Sequence, residues 1–418
     1  MVPRFGDGRD WFFEARYGLF VHWGLYAIPA WHEQLMWRGG VRRPDYVPYL
    51  QQFNPTAYDP DAWLDLAQEV GMRYICLTTK HHDGFCLWDT AQSDYKVTNT
   101  PYGRDVLAEL AEACHRRNVP LCLYYSVVDW HQPNYPNQGR SHEMPGPEAG
   151  DEPDIQRYLA FLRAQVRELC TQYGKIHGFW WDMNVTGIVD PSINAMIREL
   201  QPGIIINNRG FDAGDFSTPE RDYGHAAQDG KTVGALQAFD AVVEACQAVG
   251  RESWGYKSDE DYYSDRHLMR SIDEVMAKGG NYLLNVGPMA DGTISPESVA
   301  ILRRLGAWYG CVKEALLDVE PVSHWIENRN VLLTRRENTL YVHLLAPPET
   351  NRVLLKPLKQ MPTRATLLNT GDAVEARVDF IPTEYEDPQE YLRLRNLPIN
   401  AHAGEVLVIK LEFEALEG

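Results

Sequence analysis

No stretch of this 418-residue chain is long and apolar enough to read as a membrane span. The amino terminus, Met1 to Arg16, carries charges and no apolar run, so no signal peptide is expected and the cytoplasm is the expected location. Cysteine is sparse and unpatterned. The seven residues Cys76, Cys86, Cys114, Cys122, Cys170, Cys246 and Cys311 are odd in number and lack metal-type pairs, so reduced core thiols are expected. Basic residues are in deficit, 40 against 58 acidic ones. The resulting net charge of −18 argues against a nucleic-acid partner and against docking on anionic lipid. Nucleotide fingerprints are also missing: no Gly-x-Gly-x-x-Gly follows the first strand, and there is no P-loop. There is no internal repeat and no low-complexity tract.

Hydrophobic content of 44% and charged content of 23% are ordinary globular values, and the length calls for two domains or a barrel with an appendage. The aromatic content is more pointed, with 12 Trp and 22 Tyr whose ring faces suit the apolar faces of sugars. Apolar strand runs at Tyr17 to Gly24, Arg73 to Thr79, Val119 to Val128, Gly203 to Asn207 and Tyr282 to Val286 alternate with helical patterns. Those patterns lie at Asp61 to Val70, Asp105 to Arg117, Pro153 to Tyr173, Pro191 to Leu200, Gln237 to Val249, Ser264 to Ala277 and Pro296 to Tyr309. A short strand is also predicted at Glu252 to Tyr256. The alternation points to an α/β fold with a (β/α)8-type barrel over residues 1–318. Beyond about Glu320 the period changes to two, at Val331 to Ala346, Arg352 to Leu358, Thr366 to Val378, Tyr391 to Arg395 and Val406 to Phe413. A small antiparallel β-sandwich over 319–418 is therefore expected.

The chain is organised around His177-Gly178-Phe179-Trp180-Trp181-Asp182-Met183-Asn184. It reads as a buried parallel strand closed by a lone carboxylate, which is where such folds keep their chemistry. The plain alternative is that Asp182 caps the next turn. His22, Trp23, His81, His82, Tyr125, Trp180, Arg209 and Trp254 join Asp182 among the strand-end residues, with Glu220 and Glu244 downstream. Imidazoles, indoles and an arginine around paired acids suit a polyhydroxylated ring and its glycosidic bond. The Pro/Gly/Asn-rich insertion from Gln132 to Asp151 is a candidate active-site loop.

Several blocks together resemble the α-L-fucosidases of glycoside hydrolase family 29. They are Gly18 to Gly24, Thr79-Lys80-His81-His82-Asp83-Gly84-Phe85, Trp180-Trp181-Asp182, Asp215 to Glu220, Ser253 to Tyr256 and Lys278 to Pro288. The resemblance implies a barrel followed by a β-sandwich, no metal or other cofactor, and retaining hydrolysis of fucosylated glycans. It implies Asp182 as nucleophile and His22, His81, His82, Tyr125, Trp180 and Arg209 as fucose-holding residues. Trp254 would wall the methyl group, and Trp37 matches a tryptophan of the first long loop. One common pattern has Glu-Trp where this chain has Met36-Trp37, so one carboxylate contact is either absent or supplied from elsewhere. The general acid/base is drawn from different positions in the family. Glu244 resembles one of them, with Val243 in place of a Trp, and is placed ahead of Glu220, which matches another.

Rival readings are a metal site at His81-His82-Asp83, a non-catalytic fucose-binding protein, and a retaining glycosidase for another sugar. Adjacent residues of a strand point to opposite faces, which counts against both imidazoles sharing one ion. The Asn184-Val185-Thr186 sequon carries no weight without a signal peptide. The composition leaves room for a homo-oligomer.

Overall fold

A computed structural model describes residues 2–221, 238–386 and 388–416. Seven parallel strands form its first sheet. They are β1 (Tyr17–Val21), β2 (Tyr74–Lys80), β3 (Leu121–Ser126), β4 (Gly178–Asp182), β5 (Ile205–Ile206), β6 (Glu244–Ala248) and β7 (Asn281–Val286). Every residue in them is buried, which is why they read as near-continuous apolar runs. The hydrogen-bonded order is β5-β4-β3-β2-β1-β7-β6. The two open edges are joined by the extended segment Phe216 to Glu220. It makes parallel bridges to Asn207 beyond β5 and to Val243 and Cys246 at β6. The curled sheet thus closes into a ring in chain order, with this irregular segment as its eighth stave.

The outer helices start where the sequence says they should. Asp59, Asp105, Asp154, Asp190, Ser264 and Ser295 each accept a backbone N–H of the helix they precede, and Pro60, Pro191 and Pro296 occupy first helical positions.

Two expected elements are different. Gln237 lies outside the described residues, and the rest of the helix expected up to Val249 contains β6, a five-residue strand paired with β7. A short apolar run such as Val242 to Val249 satisfies both periods, and only the ladder to β7 decides between them. No strand forms at Glu252 to Tyr256. There the backbone N–H groups of Trp254 and Gly255 donate to the Glu33 carboxylate and so are not available for a ladder.

From Glu320 onward the pairing is antiparallel. β8 (Glu320–Pro321), β9 (Val331–Arg336), β10 (Thr339–Leu344), β12 (Arg364–Leu367) and β15 (Leu407–Glu412) form a five-stranded sheet. A second, three-stranded sheet holds β11 (Val353–Leu354), β13 (Glu375–Phe380) and β14 (Glu390–Arg395). Leu333, Val342, Leu355, Leu394, Ile409 and neighbours fill the space between them. The junction with the barrel is polar as well as apolar: Trp308 Nε1 donates to Val406 O at 2.9 Å, and His343 Nδ1 lies 3.0 Å from Asp273. Among the described residues no helix is long and apolar enough to cross a membrane.

Candidate active site

The carboxyl ends of the barrel strands open into a cavity of about 750 Å³. Asp182, the last residue of β4, reaches its floor. Tyr124 Oη donates to Asp182 Oδ2 at 2.7 Å, and Arg209 Nη1 donates to Oδ1 at 3.1 Å. His82 Nε2 stands 3.9 Å from the same carboxylate.

Three buried imidazoles form one wall. Burial pushes the pKa of His22 down, and those of His81 and His82 well down, so all three are neutral at pH 7. The hydrogen-bond network assigns two of the tautomers. His22 Nδ1 lies 2.6 Å from Asn285 Oδ1, an acceptor, so Nδ1 carries the proton. The Ser126 hydroxyl donates to Val128 O at 2.7 Å, so it must accept from His82 Nδ1, 2.6 Å away. Both rings therefore carry the lone pair on Nε2, available to a hydroxyl donor. His81 stacks on Tyr124 at 5.7 Å, and its buried Nδ1 has no partner among the described residues.

The second wall is aromatic. Trp180 lies almost parallel to Tyr124, with ring centroids 5.5 Å apart, and the Arg209 guanidinium sits 5.0 Å over its face. Trp254 stacks on His22 at 5.3 Å. Opposite Asp182, Glu220 accepts from the same Arg209 Nη1, while Nη2 donates to Thr218 O at 2.6 Å. Burial alone would weaken the arginine's charge, but Glu220 and Asp182 outweigh it and raise the pKa. Because one nitrogen serves both acids, their nearest oxygens are closer than the roughly 6.5–9.5 Å of inverting carboxyl pairs.

The structure therefore gathers His22, His81, His82, Trp180, Asp182, Arg209, Glu220 and Trp254 at one cavity. Four residues expected there are elsewhere. Trp23 packs against Phe53, Tyr58 and Trp63, its Nε1 donating to Met289 O at 3.0 Å. Tyr125 points outward, its hydroxyl donating to Gln165 Oε1 at 2.7 Å and its ring lying 4.5 Å from Lys80 Nζ. Side chains alternate along a strand, and Tyr124, paired with Trp180 in the ladder, takes the inward place. Trp37 stands behind the cavity wall, stacked at 4.6 Å on His142, which does line it. Glu244 opens β6 at the amino end of the barrel. It is 2% exposed and accepts from Tyr74 Oη at 2.5 Å and from Trp180 Nε1 at 3.0 Å. It lies outside the cavity, and its visible role is to hold the Trp180 indole from below.

That location has a measurable consequence. Burial raises the Glu244 pKa to about 7, although the Tyr74 and Trp180 donors oppose the rise. Between the ordinary glutamate value of 4.5 and about 7 the folded state holds a proton that the unfolded state releases. The stabilisation is present below 4.5 and is lost as pH rises through 7. Glu244→Gln keeps a neutral side chain at every pH. Its stability relative to the parent, followed by thermal melting, is expected to climb across this window by an amount on the order of 3 kcal/mol. A flat difference would mean that Glu244 is ordinarily ionised.

Residues not singled out from the sequence also line the cavity. His142 comes from the Gln132 to Asp151 insertion, which folds around the buried Glu143; that carboxylate accepts from Tyr135, Arg140 and two backbone N–H groups. Glu33 Oε2 accepts from Ser253 Oγ, Trp254 N and Gly255 N at 2.6, 2.9 and 3.2 Å, while its buried Oε1 has no partner among the described residues. Burial opposes its charge, but His32 and these donors hold its pKa below the usual value. A free buried oxygen at the cavity wall is what the carboxylate expected near Met36 would have provided. Among the described residues, no group of three or more His, Cys, Asp or Glu side chains is arranged to hold a metal ion.

The family model for α-L-fucosidase matches residues 7–314. The chain belongs to the α-L-fucosidase family. Over 98% of its length and 99% of the other chain it superimposes on α-L-fucosidase isoenzyme 1 of Paenibacillus thiaminolyticus, with 34% identity and a TM-score of 0.82. It is 28% identical to a family 29 fucosidase of Bacteroides thetaiotaomicron trapped as a covalent intermediate with 2-fluoro-fucosyl fluoride. That match covers 98% and 97% of the two chains, with a TM-score of 0.78. The tissue α-L-fucosidase of Mus musculus is 29% identical over 393 residues, covering 86% of this chain and 83% of that protein.

Proposed function

We propose that the chain is a retaining exo-α-L-fucosidase of family 29 that removes terminal fucose from fucosylated glycans, with Asp182 as nucleophile and Glu220 as acid/base. The observation that carries these roles is the single Arg209 nitrogen joining the two carboxylates across a cavity of neutral imidazoles and indoles.

The sugar ring rests against Trp180 and Trp254, with hydroxyls donating to His22 and His82 and to the free Glu33 oxygen. Asp182 attacks C1. The bond to the leaving oxygen breaks as Glu220 gives that oxygen its proton, forming a fucosyl ester on Asp182. Glu220 then takes a proton from water, whose oxygen attacks C1 and releases the Asp182 carboxylate. Tyr124 and Arg209 donate to different oxygens of Asp182, so whichever oxygen stays outside the new bond keeps a donor to polarise the ester. Two displacements restore the starting configuration. Proton NMR during cleavage of an aryl α-L-fucoside is expected to show α-L-fucose as the first anomer; first appearance of the β anomer would exclude the scheme. A cytoplasmic site of action is part of this reading, supported by the burial of six of the seven cysteines.

A further inference from the structure

We propose that the cavity selects glycans bearing an anionic substituent, a sulfate ester or a carboxylate, on the sugar adjoining fucose. The inference rests on the fucosidase reading and concerns the leaving group. Acidic residues outnumber basic ones 58 to 40 in the chain, yet Arg38, Arg221 and Arg251 all line this cavity in addition to Arg209. The charge of Arg209 is committed to Asp182 and Glu220. Arg38 and Arg221 have no carboxylate within ion-pair distance among the described residues. Arg38 Nε donates to the neutral Gln34 Oε1 at 2.7 Å, with its guanidinium 5.4 Å over Trp37. Arg221 Nη1 donates to Gly250 O at 3.2 Å and Arg251 O at 2.7 Å.

Arg221 is also fixed in place. Its backbone adopts φ 51°, and its guanidinium lies 4.5 Å over Trp254. It lines the same cavity as Glu220, whose proton goes to the leaving oxygen. Among the described residues the acid that pairs with Arg251 is Glu252, 3.9 Å away, and the arginine side chain is 70% exposed. The remaining acid of this wall, Glu33, is occupied by Ser253 and two backbone N–H groups. Guanidinium groups with no carboxylate in ion-pair contact, as at Arg38 and Arg221, present a planar fork of donors that matches carboxylate and sulfate oxygens.

The test compares kcat/KM for a neutral fucosylated oligosaccharide with the same compound carrying a sulfate ester, or a carboxylate, on the adjoining sugar. At low ionic strength the anionic substrates are expected to be preferred by roughly tenfold, the size of one charge-assisted contact. The preference should collapse near 1 M salt, where screening acts over about 3 Å. Arg221→Gln and Arg38→Gln should each lower the anionic-to-neutral ratio, which is taken within one protein and so is independent of its active fraction. The sulfate and carboxylate arms decide which anion is preferred. A ratio at or below one in the parent overturns the proposal, as does a ratio that neither salt nor substitution moves. Failure to cleave a simple aryl fucoside would instead overturn the fucosidase reading itself.

Discussion

Replacing Asp182 with glycine is expected to lower kcat by about 10⁴-fold or more on every fucoside, whatever its leaving group. The loss comes from the bond to C1, which no neighbouring group can replace. Tyr124, Arg209 and His82 are the other polar groups beside Asp182, and none of them forms the ester in its place. Folding should survive, because Arg209 retains Glu220 and Thr218 as partners. Azide admitted to the vacated space attacks from the nucleophile's side in a single displacement, so the product from an activated α-fucoside is β-fucosyl azide. Rescue with the α configuration, or a variant with near-parental rate, would remove Asp182 from the role.

Removing the carboxyl group of Glu220 is expected to act differently, because the need for a proton depends on the leaving group. General acid catalysis contributes typically 10²–10⁴-fold. Glu220→Ala should therefore lose about that much on a sugar leaving group and far less in the first step with an acidic phenol. Hydrolysis of the ester lacks its base in both cases, so the fucosyl-enzyme should accumulate and lower KM. Azide needs no base, so it should restore turnover of activated substrates and yield α-fucosyl azide, the opposite anomer to that from the Asp182 variant. Glu244→Ala should show no such rescue, since its carboxyl group lies beneath Trp180 and outside the cavity. Rescue of the Glu244 variant in place of the Glu220 variant would reverse the assignment. Rescue of neither would pass the role to Glu252, the other half-exposed acid of the cavity wall.

The opposite fates of Glu220 and Glu244 show where reading the chain in one dimension stopped. Val243 to Cys246 resembles a family block, and that likeness favoured Glu244. The residue opens a strand, however, and sits at the amino end of the barrel, outside the cavity. Glu220 belongs to a stave with no regular strand pattern, which closes the ring only through bridges to residues beside β5 and β6. Nothing local in Phe216 to Glu220 announces that closure.

By itself the sequence determined the alternating barrel, the helix starts at capping Asp and Ser residues, the later change to period two, and the strand-end position of Asp182, His22, His81 and His82. These follow from side-chain periodicity and local backbone chemistry, which act over a few residues and are written along the chain. Only the tertiary structure decided which of Tyr124 and Tyr125 faces inward, that Glu33 supplies the free carboxylate oxygen, and that His142 replaces Trp37 at the wall. It also decided which acid shares Arg209 with Asp182. Each of these depends on ladder register or on contacts between residues far apart in the chain. A one-residue step in register exchanges the two faces of a strand without altering its composition.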